Sequence, residues 1–381
     1  MPTSDRLAPF GVTIFTEMTQ LAVEHDAINL GQGFPNWDGV DFVKEAAAAS
    51  LAGGNDQYPP SPGILSLREK LADHYGPLLD RDLDPATEIT VTGGCTEGLA
   101  ASCLGLLNPG EEVVIIEPFY DAYPVDVALA GATARYVTLE PPHFTLDSEK
   151  LRRVFSDRTR AIIVNNPHNP TGRVYSAEEL GGIAELCREF EVIAISDEVY
   201  EEMTYGTEHL RLATFDGMWE RTLTLSSLGK TFSLTGWKVG WAIGPAELTA
   251  GLRSAHQFLT FTTPTPVQHG AVAALDAPAT FYQSMRDDYR AKRDLLNGGL
   301  RGAGFETYPS EGTYFLIAGH PAARDDKAFC RRMAIESGVV AIPPSVFYDD
   351  PASGAGLVRF AFCKDEKTLE EAISRIKAFM S

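Results

Sequence analysis

Six short apolar runs separated by helix-like stretches limit what this chain can fold into. EITVT (88–92), EVVIIE (112–117), AIIVN (161–165), VIAIS (192–196), TLTLS (222–226) and VGWAIG (239–244) are mostly rich in Val and Ile and apolar along their length. Strands covered on both faces have this texture, because no position has to face water. Between them lie helix candidates such as TEGLAASCLGLL (96–107) and SAEELGGIAELCREF (176–190), the second opened by Ser176 with Glu179 three residues on, a capping-box pattern. The alternation predicts an α/β sheet with helical crossovers. Past residue 285 come a charged helix candidate (285–304), two strands, TYFLIA (313–318) and LVRFAF (357–362), and a closing helix (366–380). The expected division is an N-terminal segment (1–40) joining a small α+β domain (284–381), with a large domain between them (41–283).

Composition narrows the partners. Lys plus Arg number 32 against 52 Asp plus Glu, a net charge of −20 with no segregated basic cluster, which argues against nucleic acid and anionic membrane. Asp5, Arg6 and Pro9 interrupt the apolar stretch a signal peptide would need, and no run approaches membrane-spanning length, so the expected location is the cytoplasm. The five cysteines are odd in number and scattered, without a CxxC pair or a His at ligand spacing. They are expected to be reduced, mostly buried thiols, with no metal.

In open α/β sheets ligands bind beyond the carboxyl ends of the strands, so the residues following each run carry the most information. GGCTEG follows the first, and the amides of Gly94, Cys95 and Thr96 would open a helix there, either as an anion site or as a tight turn. Tyr120 in PFYDAY is a stacking ring or a core aromatic. Asn165 and Asn169 in NNPHNPTG are two hydrogen-bonding amides at one strand end. Asp197, with Tyr200 three residues later, reads equally as a helix cap. SSLGKTFSLTGWKVGW (226–241) holds Ser227, Lys230 and Lys238, and these lysines are the only charges between Arg221 and Glu247. An ammonium is costly to desolvate unless something anionic or covalent receives it. Arg359 sits among Leu357, Phe360 and Phe362, which suggests a covered strand over an edge gatekeeper. An amine, a carboxylate, a phenol, an amide, a stacking ring and an anion cradle together are what pyridoxal 5'-phosphate requires.

At this point the chain resembles the class I/II aminotransferases of fold type I, especially the kynurenine/glutamine and methionine aminotransferases and N-succinyldiaminopimelate aminotransferase. The likeness runs through INLGQGFPNWDG, QYPPSPG, EPFYDAY, NNPHNPTG, SDEVYE, SSLGKTFSLTGWKVGW, EGTYFLI and VRFAFCKDE, in the family's order. It implies a mostly parallel, mixed seven-stranded sheet between helices, a small α+β domain, and a homodimer with composite active sites. It also implies that Lys230 joins the cofactor's aldehyde and then moves the substrate Cα proton, while Asp197 keeps the pyridine nitrogen protonated and Asn169 and Tyr200 bond the ring oxygen. Tyr120 would stack on the ring. Gly94, Cys95, Thr96, Ser227 and Lys238 would bind the phosphate, reached by Tyr58 of the neighbouring subunit. Arg359 with Asn165 would grip the substrate α-carboxylate, Gly33 would let the amino-terminal segment close over it, and Phe15 and Phe261 would line the pocket.

The implied reaction moves the α-amino group of a neutral amino acid, methionine or glutamine ahead of aromatic ones, to a 2-oxo acid by a ping-pong mechanism. N-succinyldiaminopimelate transamination and cysteine-S-conjugate β-lyase chemistry are the alternatives. Kynurenine aminotransferases carry Tyr where this chain has Cys95 and Trp where it has Phe15, which thins the aromatic cage and argues against kynurenine. A purely regulatory binding domain would call for a DNA-binding element, and the stretch before INLGQG carries no basic helix.

Overall fold

A computed structural model describes residues 3–381. After a two-residue strand β1 (Ile28–Asn29), the chain builds a seven-stranded sheet from β2 (Ile89–Thr92), β3 (Glu112–Glu117), β4 (Thr133–Thr138), β5 (Thr159–Asn165), β6 (Ile193–Asp197), β7 (Thr222–Ser227) and β8 (Gly240–Ile243). Their order is β2-β8-β7-β6-β5-β3-β4, and only β8 runs against its neighbours. Every residue of β2, β3, β6 and β8 is buried, the few polar ones included, as expected of strands covered by helices on both faces. Strand β4 was not expected from its sequence, TARYVT. It lies at the sheet edge with exposed and half-buried positions alternating, so its side chains do not have to be apolar.

The remaining strands are β9 (Glu306–Thr307), β10 (Phe315–Gly319), β11 (Val339–Val340) and β12 (Leu357–Ala361). Strands β12, β10 and β9 form an antiparallel sheet in that order, and β1 pairs in parallel with β11. The amino-terminal segment is thereby stitched to the last third of the chain, with Ala361 N–H donating to Leu30 O at 2.7 Å. The Ser176 capping box forms as expected. The charged helix starts at Ala279 instead of near residue 285, because Phe281 stacks on Phe232 with ring centroids 5.1 Å apart, a contact with a residue distant in sequence. All five cysteines are buried and unpaired, and among the described residues no helix is long and apolar enough to cross a membrane.

One close approach governs how the sheet meets the helix Gly94–Leu106. A Cβ at Gly240, the first residue of β8, would lie 2.5 Å from the Gly94 carbonyl carbon and 2.6 Å from the Cys95 nitrogen. Neither is a flexible side-chain end, so the helix start rests on a bare glycine backbone. Gly240→Ala is therefore expected to destabilise the fold by about 1–3 kcal/mol, the cost of overpacking. Gly236→Ala, where a Cβ meets nothing within 4 Å, should stay within about 0.5 kcal/mol of wild type in urea unfolding.

Candidate active site

The carboxyl ends of β2, β5, β6 and β7 converge on a cavity of about 370 Å³, whose lining also includes Phe15, Gly33, Phe315 and Arg359. Gly94, Cys95, Thr96, Tyr120, Asn165, Asn169, Asp197, Tyr200, Ser227, Lys230 and Lys238 line the same space. Residues spread over more than 340 positions of sequence thus meet in one place. Tyr58 and Phe261 are not among the lining residues. They pack edge-to-face on each other, ring centroids 5.6 Å apart, and are 86% and 45% exposed, so within a single chain Phe261 is not part of the pocket wall.

Lys230 lies in the single helical turn that follows β7, and its Nζ donates to the Tyr314 hydroxyl at 3.0 Å. Burial lowers its pKa from the usual lysine range to about 8, despite the opposing pull of Cys363 and Asp197. Asp197 ends β6 and is 4% exposed. Its Oδ2 accepts from the Tyr123 hydroxyl at 2.7 Å, and its Oδ1 from the Val199 amide at 3.3 Å and the Cys95 thiol at 3.5 Å. Burial pushes this carboxyl upward, against the donors and Lys230, which favour its ionised form. Turns follow Asp197, not a helix, so the helix-cap reading does not apply.

The two asparagines divide their work differently from the sequence expectation. Asn165 Nδ2 donates to Asp197 O at 2.9 Å and its Oδ1 accepts from Asn169 N at 2.6 Å, so both ends of the amide serve backbone groups and tie β5 to β6. The amide beside Arg359 is that of Asn169, whose Oδ1 accepts from Arg359 Nη1 at 3.2 Å. Arg359, mid-strand in β12 and 1% exposed, also donates through Nη2 to Gly31 O at 2.8 Å. Its Nε has no partner among the described residues, and its Cζ lies 4.2 Å from the Phe315 ring centroid and 5.2 Å from those of Phe15 and Phe347. Burial lowers the guanidinium pKa to about 10, which leaves it charged at neutral pH. No edge gatekeeper would be placed like this.

At the opposite wall the helix Gly94–Leu106 begins with Gly94 at φ +76°, and its first-turn amides have no acceptor inside the helix. Lys238, itself left-handed at φ +53°, sets its Nζ 3.3 Å from Thr96 Oγ1. A helix amino terminus with an ammonium beside it is suited to a phosphate. Tyr123 and Tyr314 were missed as site residues although both fall inside quoted motifs, EPFYDAY and EGTYFLI. Each is an aromatic in an apolar setting, and only the fold reveals that its hydroxyl reaches Asp197 or Lys230.

Residues 25–376 match the family model for aminotransferase class I and II. A probable N-succinyldiaminopimelate aminotransferase, DapC, of Mycobacterium tuberculosis strain H37Rv is 48% identical over 98% of both chains. The methionine aminotransferase of Escherichia coli strain K12 is 40% identical, covering 98% of this chain and 97% of its own. The solved structure of N-succinyldiaminopimelate aminotransferase from Mycobacterium tuberculosis superposes with a TM-score of 0.97 at 47% identity over the whole of both chains. The chain belongs to the class I and II aminotransferases, enzymes of fold type I in a family that depends on pyridoxal phosphate.

Proposed function

We propose that this enzyme binds pyridoxal 5'-phosphate in the 370 Å³ cavity and transfers the α-amino group of a neutral amino acid to a 2-oxo acid by a ping-pong mechanism, as a cytoplasmic homodimer. The observation that carries the reading is the buried Arg359 guanidinium, which has an unpartnered Nε and no carboxylate within 4.0 Å among the described residues. A monocarboxylate entering the cavity would satisfy it. The residues also fit the cofactor, since amine, carboxylate and helix-end anion cradle line one cavity of suitable size.

Bound pyridoxal phosphate would supply an aldehyde that captures amines and a ring that withdraws the electron pair left when the substrate Cα is deprotonated. Lys230 would provide the amine for that aldehyde and is placed to hold or move the substrate Cα proton. Asp197, shielded from water and held by Tyr123, presents its charge to a ring nitrogen. Lys238, Ser227 and the amides of Gly94, Cys95 and Thr96 would hold the phosphate, with Tyr58 of a second copy as a further donor. Tyr120 would provide an aromatic face for the ring, and Asn169 and Tyr200, which line the same cavity, would bond its oxygen. Arg359 orients the substrate carboxylate, and the bare backbone of Gly33, where a Cβ would fall 2.7 Å from the Phe315 ring, lets the amino-terminal segment lie close. Phe15 adds an apolar wall. The segment 1–40 joins the small domain (284–381), and residues 41–283 form the large cofactor-binding domain.

Lys230 sets a pH dependence. With its pKa at about 8, about one amine in ten is neutral at pH 7, against roughly one in 3000 at the ordinary lysine value. Uptake of pyridoxal phosphate by cofactor-free protein, followed by absorbance, should rise about tenfold per pH unit below pH 8 and level off above it. A rise continuing unchanged to pH 10 would contradict the assignment. Lys230→Ala should fold normally and lose turnover. Asp197→Asn should melt near the wild-type temperature while losing several orders of magnitude in rate; equal losses in both would make Asp197 structural.

The neutral-substrate preference follows from the lining, where Arg359, Lys230 and Lys238 are the only cations and each already has a role. A second carboxylate would enter a pocket in which no cation remains to pair with it. N-succinyldiaminopimelate is the second reading, supported by the mycobacterial relative's name. Specificity constants decide between them: methionine and glutamine should lead aspartate, and a tenfold advantage for N-succinyldiaminopimelate or aspartate would overturn the preference.

A further inference from the structure

His256 sits in the helix Ala246–Leu259, wholly buried, and both of its ring nitrogens face acceptors. Nδ1 lies 3.0 Å from Glu97 Oε1, with the Thr260 hydroxyl a longer neighbour at 3.3 Å, and Nε2 lies 2.9 Å from the carbonyl oxygen of Ser61. A neutral imidazole has one donor and one acceptor nitrogen, so it would turn a lone pair toward either the carboxylate at 3.0 Å or the carbonyl at 2.9 Å. Two donors remove the conflict. The charged groups facing the ring are Glu97, from the helix Gly94–Leu106, and Arg253, one turn earlier on its own helix. Arg253 is occupied with Thr90 Oγ1, Ala86 O and Ile89 O. The turn 57–63 presents the Ser61 carbonyl to the ring. Burial opposes the charge, but Glu97 and Ser61 O outweigh it and hold the imidazole above its usual range.

The ring joins two segments with different roles. Glu97 uses its other oxygen to accept from Gly93 N at 3.0 Å, bracing the residue from which the helix Gly94–Leu106 starts. Ser61 belongs to QYPPSPG, the turn that holds out Tyr58. The backbone of His256 completes the junction, since its carbonyl accepts from Thr260 N and Phe261 N at 3.1 Å and so fixes the segment on which Tyr58 packs. We propose that His256 is held as an imidazolium and is the positioning residue that keeps the exposed Tyr58–Phe261 pair in register with the phosphate-binding helix end. This rests on the reading of Gly94–Thr96 as the phosphate cradle.

Protein labelled with ¹⁵N-histidine, with the His256 signals assigned by their loss in His256→Gln, reports the protonation state without reference to activity. Both ring nitrogens should resonate as imidazolium at pH 7, and the state should persist above the pH at which an exposed histidine titrates. The proton raised in the folded state stabilises the protein fully below the unfolded pKa and is lost as pH rises through the folded value. The holoenzyme should accordingly release pyridoxal phosphate faster as the pH rises through that titration, and His256→Gln should release it at least tenfold faster at pH 7. Glu97→Gln supplies a donor where the carboxylate accepted, so a neutral imidazole fits, and cofactor release should lose the part of its pH dependence that follows the His256 signals. A neutral nitrogen signal at pH 7 overturns the inference, as does wild-type cofactor retention by His256→Gln. Should wild-type protein take up no pyridoxal phosphate at all, the proposed function fails, while the nitrogen signals still decide the charge on His256.

Discussion

Arg359 places a positive charge inside the protein where its hydrogen-bond partners are neutral and the Asp121 carboxylate acts on it only from beyond ion-pair distance, and much of the surrounding architecture serves to hold it there. An isolated buried cation is strongly disfavoured, so its contacts have to be fixed in advance. Strand β12 fixes the backbone on one side through β10, and on the other Arg359 and Ile342 exchange N–H···O bonds of 2.9 and 3.0 Å. Two dipoles, Gly31 O and Asn169 Oδ1, take the Nη donors, and three phenylalanine rings enclose the guanidinium. Gly31 belongs to the amino-terminal segment, which Lys364 also grips through Phe34 O at 2.6 Å and Tyr314 through Gly33 O at 2.5 Å. The buried guanidinium and the stretch from Gly31 to Phe34 are therefore one mechanical unit, and Tyr314 connects that unit to Lys230.

The facing wall is built from strand ends, and it is stiffened from beneath. Arg211 bridges Glu198 and Glu201 at 3.0 and 2.7 Å, His209 meets Glu198 at 2.8 Å, and the hydroxyls of Tyr75 and Ser226 donate to Glu201. Burial opposes ionisation of Glu198, but His209, Arg211 and Ser196 hold its carboxyl below the usual range. Glu198, Glu201 and His209 are close enough to suggest a metal centre, yet Arg211 lies between the carboxylates as their counter-charge. The cluster flanks Asp197 and Ser227 in sequence and braces both without entering the cavity. Removing one member would leave a buried charge uncompensated, which is far more damaging than losing a surface pair.

Much of this was legible in the sequence because each strand end carries its own chemical signature. Lys230 stood out by the absence of other charge around it, Arg359 by its apolar neighbours, and Asp197 by its place after a Val- and Ile-rich run. What escaped depends on long-range geometry. Strand β4 has no apolar run because it lies at an edge, Tyr123 and Tyr314 read as core until their hydroxyls find partners, and Asn165 spends both ends of its amide on backbone groups, one of them Asn169 N at 2.6 Å, so that Asn169 and not Asn165 meets Arg359. The Glu97–His256–Ser61 connection spans 195 residues and leaves no local pattern at all.

The central claim is that Arg359 is held charged and under-partnered in order to receive one carboxylate. Calorimetric titration of the holoenzyme with 4-(methylthio)butanoate, which has the carboxylate and side chain of methionine but no amine, tests it without requiring turnover. Wild-type protein should bind this ligand and Arg359→Gln should bind it about 100-fold more weakly, as expected for losing a charge-assisted hydrogen-bonded pair. Equal affinity in the two proteins would show that the carboxylate is bound elsewhere and that the buried guanidinium is only part of the scaffold.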